Sequence, residues 1–164
     1  RTQNVRKNEF IKNTNVYVRE DFHKKHPKSK IENGDVLISR VGANLGMVCK
    51  VDGLNNEANA ANVIIIKESD KICSDFLAGF LNTVNGEKSI LIDKVGGAQG
   101  VFNTNTAKNL LIPCPPIEEQ MRIINVLSNF DKDISDKQES LKKMQILKKS
   151  LMQDLLSGQK RVKV

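Results

Sequence analysis

The chain has 164 residues, of which 39% are hydrophobic and 27% charged, as expected for one soluble domain. It has no run of about 18–20 apolar residues and no signal peptide at its start, and its three scattered cysteines do not suit a disulfide framework. Membrane, secreted-scaffold and disordered classes are therefore excluded, and a reducing cytoplasm is the expected location.

The net charge of +7 is concentrated at the two ends of the chain. Residues 1–30 contain nine Lys or Arg against three acidic residues, whereas residues 31–116 contain seven basic against nine acidic residues. A basic segment binds a polyanion with release of counterions, so double-stranded nucleic acid is the first partner to consider. The alternative is a solvated surface that binds nothing. Single-stranded binding by base stacking is disfavoured, because the chain has one Tyr and no Trp.

The first part of the chain, residues 1–116, begins with strand signals. Residues 36–41 and 47–51 predict two strands, and the glycines between them predict a tight reversal. The β-branched run at 62–67 predicts a further strand that is buried on both faces. Cys49 is expected to lie inside the second strand.

Helix and loop signals follow these strands. Ser74 can cap a short helix, and Gly86 stands just past its end. Residues 89–92 predict one more strand, and residues 96–105 predict a Gly- and amide-rich loop. The apolar face of the helix would contain Phe76, Leu77, Phe80, Leu81 and Val84. Together these elements predict a small, mixed, β-rich α+β domain.

After the proline-rich stretch at 113–116, the chain predicts one helix over residues 117–157 and then a basic tail at 158–164. At 1.5 Å per residue this helix would be about 60 Å long, so much of it should project from a domain about 25–30 Å across. Its apolar residues recur every three or four positions and form a seam, with Lys137 and Lys148 where the spacing lapses. The seam consists of Ile123, Leu127, Phe130, Ile134, Leu141, Met144, Leu151 and Leu155.

A projecting apolar seam needs a partner, and a second helix of the same kind is one candidate. Two such helices from two domains would hold those domains a fixed distance apart, as the reading of a split duplex target requires. Lys137 and Lys148 disfavour a simple parallel zipper and suit an antiparallel coiled coil in which they meet acidic residues. The alternative is that the helix folds back along its own domain.

Three segments follow one another in an order that is fairly specific when they are taken together. Residues 34–46 read GDVLISRVGANLG, residues 97–99 lead to LIPCPPIEEQ at 111–120, and residues 155–162 read LLSGQKRV. Through these segments the chain resembles the specificity subunits of type I restriction-modification systems. The resemblance covers the chain from about Tyr17 to its last residue. The corresponding patterns of that family are GDIL-S--G--IG, IP-PP--EQ and LL-G--RV.

The resemblance implies a non-catalytic bacterial or archaeal protein that recognises DNA. In such subunits each target recognition domain reads one half of a bipartite duplex site, and conserved helices pair antiparallel as the spacer. Modification subunits dock on the subunit and use S-adenosylmethionine, and restriction subunits join the complex to translocate and cut DNA. ATP and Mg²⁺ would also belong to those partners, so no cofactor is expected in this chain.

Complete members of that family have two recognition domains and two helices, whereas this chain has one of each. The hairpin also begins only about 34 residues into the chain, so the recognition domain is expected to lack an N-terminal portion. Three explanations stay open: a half-subunit that forms a homodimer through residues 117–157, the product of a silent allele, or a piece of a larger protein.

Catalytic and metal-binding signatures are missing from the sequence. Residues 113–116 lack the acid or amide and the aromatic of the adenine methyltransferase motif, and no Gly-rich cofactor turn follows a strand. His23 and His26 have no Cys or acidic residue at ligand spacing and are expected to be solvated. The prediction is a chain without catalytic residues and without a metal.

Candidate DNA contacts follow from residue type and expected position. Base readers need Arg, Asn or Gln on loops held by rigid strands, which selects Arg40, Asn44, Gln99, Asn103 and Asn105. Lysines suit phosphate contacts, which position a protein without reading sequence; the candidates are Lys24, Lys25, Lys28, Lys30, Lys94 and Lys108. For each amide the alternative is a turn residue that bonds its own backbone.

Two other functions stay open at this point. One is a protein-interaction module that oligomerises through its C-terminal helix and does not read DNA. The other is a DNA-cleaving enzyme whose site has no recognisable motif. Duplex binding distinguishes a specificity subunit from the first, and metal-dependent turnover of plasmid DNA would reveal the second.

Overall fold

The computed structural model describes residues 1–12, 16–91 and 102–162. Its elements in chain order are β1 (Val5–Arg6), β2 (Glu9–Phe10), α1 (Glu20–Lys25), β3 (Lys30–Ile31), β4 (Val36–Ser39), β5 (Val48–Lys50), β6 (Ala58–Asn59), β7 (Val63–Ile66), α2 (Ser74–Leu81), α3 (Val84–Ile90), α4 (Thr104–Lys108) and α5 (Ile117–Leu156). They form two compact units, Arg1–Met121 and Arg122–Val164. Short strands followed by one long helix confirm the α+β class. The predicted division of the chain into a domain (1–116), a helix (117–157) and a tail (158–164) stays a prediction.

A three-stranded antiparallel sheet lies at the centre of the first unit, with β4 between β5 and β7. Leu37 of β4 lies opposite Cys49 of β5 and Ile65 of β7. Because side chains alternate along a strand, these apolar strands present hydrophobic residues on both sides of the sheet. The pairs β1–β2 and β3–β6 form two further antiparallel ladders.

Two buried clusters pack against this sheet. The first includes residues of α2 and α3 and contains Val36, Ile38, Val48, Ile64, Leu77, Ala78, Leu81, Ile90 and Phe102. The second contains Val5, Ile31, Leu37, Cys49 and Val51. Burial raises the pKa of the Cys49 thiol to about 12, so Cys49 stays a protonated thiol inside its strand, as the sequence predicts.

The predicted hairpin and the strand after it are confirmed, with shorter bounds than expected. The reversal closes through Gly46, whose N–H donates to the Ser39 carbonyl at 2.9 Å and whose φ of +83° suits glycine. Residues of β7 pack against both clusters, but only Ile64 is buried. Burial on both faces is therefore partial; among the residues that the structure describes, β7 pairs only with β4 and is an edge strand.

A buried aspartate closes the turn that leads into β4. Asp35 accepts hydrogen bonds from the Glu32 backbone N–H at 2.8 Å and from the Lys67 ammonium at 2.9 Å. The hydrogen bond to Asp35 raises the pKa of Lys67, because the carboxylate favours the charged form of the ammonium. The start of β4 is thereby tied to the residue that follows β7.

The segment after β7 differs from the predicted helix and strand. The structure has two helices, α2 and α3, and residues 89 and 90 belong to α3, so the strand predicted at 89–92 is wrong. The helical segment is interrupted at Thr83, between α2 and α3. The Thr83 side chain accepts a hydrogen bond from the Gly86 N–H at 3.2 Å and caps α3. Val84 therefore begins a helix and is 68% exposed, and Gly86 lies inside α3.

Two smaller features also differ from the sequence-based expectation. Cys73, rather than Ser74, is the N-cap residue of α2. The short helix α4 was not predicted; Asn103 caps it, because its side-chain oxygen accepts hydrogen bonds from the N–H groups of Asn105 and Thr106. Residues 96–101 of the predicted Gly-rich loop lie outside the described residues.

The long C-terminal helix is confirmed as one element of 40 residues, Ile117–Leu156. Gly158 follows it with a φ of +76°, the left-handed backbone with which helices commonly end. All eight seam residues are at least 38% exposed in the single chain, and their pairing with a second helix stays a prediction. Within the described residues, no helix is both long and apolar enough to cross a membrane.

Candidate nucleic-acid interface

Four of the predicted phosphate-contacting lysines lie in one stretch, residues 24–30, here called the lysine segment. Lys24 and Lys25 end α1, Lys28 lies in a 3₁₀ turn, and Lys30 begins β3. Lys24 pairs with Glu20 one helical turn earlier, at 2.6 Å. No acidic side chain among the described residues forms an ion pair with the other three lysines. Their positive charge is therefore available to a polyanion.

His23 anchors the lysine segment to the residues around β6. Its side chain is buried, with Nδ1 2.6 Å from the Asn59 amide oxygen and Nε2 3.0 Å from a carboxylate oxygen of Glu57. The expectation of a solvated side chain is therefore wrong for His23, because its partners come from a distant part of the chain. His26 is exposed, and its ring stacks on Phe22 with the centroids 4.0 Å apart.

Three of the predicted base readers form hydrogen bonds within the protein. Arg40 donates through Nε to the Phe102 carbonyl at 3.1 Å, and Asn44 donates through Nδ2 to the Thr2 carbonyl at 2.8 Å. The Asn103 side chain caps α4. Only the Asn103 bonds match the alternative of a turn residue that bonds its own backbone, because Arg40 and Asn44 bond backbone that is 62 and 42 residues away. The assignment of base contacts to these residues stays a prediction.

Two further predicted contacts lie on α4. Asn105 and Lys108 are exposed on that helix, and the bond from Arg40 to Phe102 brings the hairpin next to its start. Gln99 and Lys94 lie outside the described residues. Within the described part of the chain, no group of three or more His, Cys, Asp or Glu side chains is placed to hold a metal ion.

A second polar surface next to the lysine segment was not identified from the sequence. Asn55, Asn56 and Glu57 are exposed and, with Lys30, border a depression of about 420 Å³. The antiparallel pairing of β3 with β6 places them there, since Lys30 lies opposite Asn59. In a sequence, adjacent asparagines indicate a turn and nothing more. Only the pairing of β3 with β6 reveals that these asparagines lie beside the lysine segment.

Gln120 ties the first turn of α5 to two other segments of the first unit. Its fully buried amide donates through Nε2 to the Pro115 carbonyl at 2.7 Å and the Lys71 carbonyl at 3.1 Å, and its oxygen accepts from the Cys73 N–H at 2.8 Å. In the sequence, Gln120 stands out only as the last residue of the motif at 111–120, and no structural role for it is evident there. Its partners show that the residue joins the helix to the loop before α2.

Comparison with known proteins finds one family over most of the chain. Residues 2–144 match the model of the type I restriction modification DNA specificity domain. The chain is 27% identical over 152 residues to the type I restriction enzyme MjaVIII specificity subunit of Methanocaldococcus jannaschii, covering 90% of this chain and 36% of that protein. It is 26% identical over 135 residues to the putative MjaX specificity subunit of the same organism, covering 79% and 32%. A putative specificity subunit of Haemophilus influenzae is 26% identical over 125 residues, covering 74% and 31%.

Proposed function

Because this chain belongs to the type I restriction modification DNA specificity family, we propose that it reads one half of a bipartite duplex DNA target and docks modification subunits. The observation that carries the proposal is the family match over residues 2–144, which includes the lysine segment. The chain spans about a third of the length of the curated relatives it matches, and a second copy of it would supply the second reading domain.

The chemistry of modification and cleavage is assigned to other subunits in this proposal. S-adenosylmethionine, ATP and Mg²⁺ would be bound by the modification and restriction subunits, and this chain would contribute recognition without catalysis, in the cytoplasm. Family membership favours this function over the interaction module and the cleaving enzyme considered from the sequence.

The lysine segment supports the proposal through its charge. Lys25, Lys28 and Lys30 lie within six residues of one another and have no acidic partner among the described residues. Each phosphate that a lysine neutralises releases condensed counterions, which gives affinity that depends on salt but not on base sequence. These lysines would therefore hold the duplex in position while other residues read it.

We expect Lys25→Gln with Lys28→Gln to weaken binding to all duplexes and to lower the slope of log K against log salt by about two. Fluorescence anisotropy at four or more salt concentrations measures both quantities. A matched control is Lys71→Gln with Lys88→Gln, which removes the same charge from exposed lysines outside the segment. Equal slopes for the two double variants would show that the lysine segment does not contact DNA.

The seam on α5 supports self-association. Its eight apolar residues repeat along the helix and are exposed in the single chain, with Phe130 at 62% and Met144 at 66%. An apolar surface of this extent is typical of an interaction site. We propose that two copies pair antiparallel through residues 117–157, so that the helix pair separates two half-site readers.

Leu141→Asp should abolish this self-association, because it places a charge in the centre of the apolar interface twice per dimer. The dissociation constant should rise at least about a hundredfold, while the first unit keeps its thermal transition. Ser128→Asp is the matched control, since Ser128 lies off the seam on the same helix. Sedimentation velocity distinguishes monomer from dimer. A wild type that is monomeric at all concentrations, with Leu141→Asp lowering the transition of the first unit, would support a folded-back helix instead.

The decisive experiment is selection from a random duplex pool, with the chain alone and together with its modification subunit. Enrichment of a split inverted repeat would support a homodimer that reads the same half-site twice. A folded chain that enriches no motif under either condition would contradict the proposed function.

A further inference from the structure

Three of the residues that border the depression beside the lysine segment form a short exposed loop, residues 55–57, here called the 55–57 loop. It displays two amides and one carboxylate: Asn55, Asn56 and Glu57. None of the three belongs to the hydrophobic clusters of the first unit. Hydrogen-bonding side chains of these types are the ones that distinguish base pairs in the major groove.

The 55–57 loop is held rigidly at both of its ends. On one side, Asn33 clamps the backbone of Leu54: its amide oxygen accepts from the Leu54 N–H at 2.9 Å, and its Nδ2 donates to the Leu54 carbonyl at 3.1 Å. On the other side, the loop enters β6, which pairs with β3, and the Ala60 N–H donates to the Ser29 carbonyl at 2.7 Å. Rigid support of this kind is what a sequence-reading loop requires.

Glu57 lies beside the buried His23 while its own side chain stays 79% exposed. One carboxylate oxygen lies 3.0 Å from Nε2 of His23. The His23 ring is oriented by its other nitrogen, because Nδ1 forms a hydrogen bond with the Asn59 amide oxygen. The Asn59 amide is held in turn, since its Nδ2 donates to Ser29 Oγ at 2.8 Å. Nε2 of His23 has no hydrogen-bond partner among the described residues, so the Glu57 carboxylate oxygens remain available as acceptors to whatever occupies the depression.

The charge of Glu57 restricts which part of a duplex it can face. A phosphate attracted by the lysine segment would be repelled by a carboxylate next to it. The edges of the bases, in contrast, carry amino groups that donate hydrogen bonds. In the major groove a carboxylate matches the N4 amino group of cytosine, and an Asn amide matches adenine.

We propose that the 55–57 loop reads base edges in the major groove, with Glu57 accepting a hydrogen bond from the N4 amino group of a cytosine. The inference rests on the proposed function, since it assumes that the lysine segment binds duplex DNA. The proposal assigns base reading to a loop that contains none of the base-contacting residues predicted from the sequence. Asn55 and Asn56 would contact the neighbouring base pairs, and His23 is a positioning residue that acts through Glu57.

The test is a quantitative base-preference profile of the selected motif, measured for wild type and Glu57→Gln. Glutamine has nearly the same size but adds an amide donor, so the preference for cytosine at one position should fall about tenfold or change to another base. Glu9→Gln is the control, because Glu9 is exposed in β2 and its replacement makes the same change in net charge. Since Glu57 is exposed, its variant should keep the wild-type thermal transition.

The outcomes separate the inference from the function on which it rests. A wild type that enriches a motif while Glu57→Gln keeps the same preference at every position would overturn the role of Glu57 and leave DNA recognition intact. A wild type that enriches no motif would overturn both. A change confined to one position in Glu57→Gln, and absent in Glu9→Gln, would establish Glu57 as a base reader.

His23→Gln tests the positioning role with the same profile. If His23 acts through Glu57, its variant should relax the position that Glu57→Gln relaxes and leave preferences elsewhere in the motif unchanged. A loss of affinity that is uniform over all positions would show that His23 only stabilises the fold. The measurement is made well below the thermal transition of the variant, so that unfolding does not contribute.

Discussion

Replacing Gly86 with alanine should lower the free energy of unfolding by about 3 kcal/mol, because the new methyl group has no space. A Cβ at this position would lie 2.5 Å from the Leu81 Cα and still closer to the Phe80 carbonyl oxygen. Both are backbone atoms of α2 and cannot rotate away as a side chain could. α3 would have to move off α2, which disrupts the cluster that contains Leu81 and Ile90.

Gly79→Ala provides a control of opposite sign. Gly79 lies inside α2, and apart from its chain neighbours and its own helix backbone, no heavy atom of the described residues lies within 4 Å of the position that its Cβ would take. Alanine is the better helix former, so this variant should gain about 0.5–1 kcal/mol. Urea unfolding of the two variants and wild type measures the difference. Similar stability for both variants would show that α2 and α3 do not pack as closely as the structure indicates.

Gln120→Ala should have a comparable effect, about 3 kcal/mol, because it leaves three backbone groups without their partner. The groups are the carbonyls of Pro115 and Lys71 and the N–H of Cys73, all within 3.1 Å of the Gln120 amide. A loss of this size would lower the thermal midpoint by about 6–12 °C in a protein of this length.

Gln138→Ala is the matched control for this prediction. Gln138 is exposed on the same helix, so its truncation should change stability by less than about 0.5 kcal/mol. Differential scanning calorimetry of both variants measures the contrast. An equally small effect at Gln120 would mean that water replaces the amide and that the junction does not depend on it. The expected result would explain why a glutamine ends the motif at 111–120.

Residue type and position along the chain predict part of the candidate site but not all of it. The lysines at 24, 25, 28 and 30 were identifiable because they are close in sequence, and the structure keeps them together. The 55–57 loop was not identifiable, because it reaches the lysine segment only through pairing of β6 with β3. His23 was misjudged for the same reason: its partner Asn59 is 36 residues away.

Short-range patterns were sufficient wherever neighbouring residues set the structure. Glycines and β-branched runs predicted the hairpin and β7, and apolar residues recurring every three or four positions predicted α5. Backbone preference and side-chain period act over a few residues, so neighbouring residues suffice to reveal them. The break at Thr83 and the role of Gly86 depended on how tightly α2 and α3 pack, which periodicity does not record. Buried polar groups need partners from wherever the chain brings them, so Gln120 with Lys71 and Arg40 with Phe102 became visible only in the folded protein.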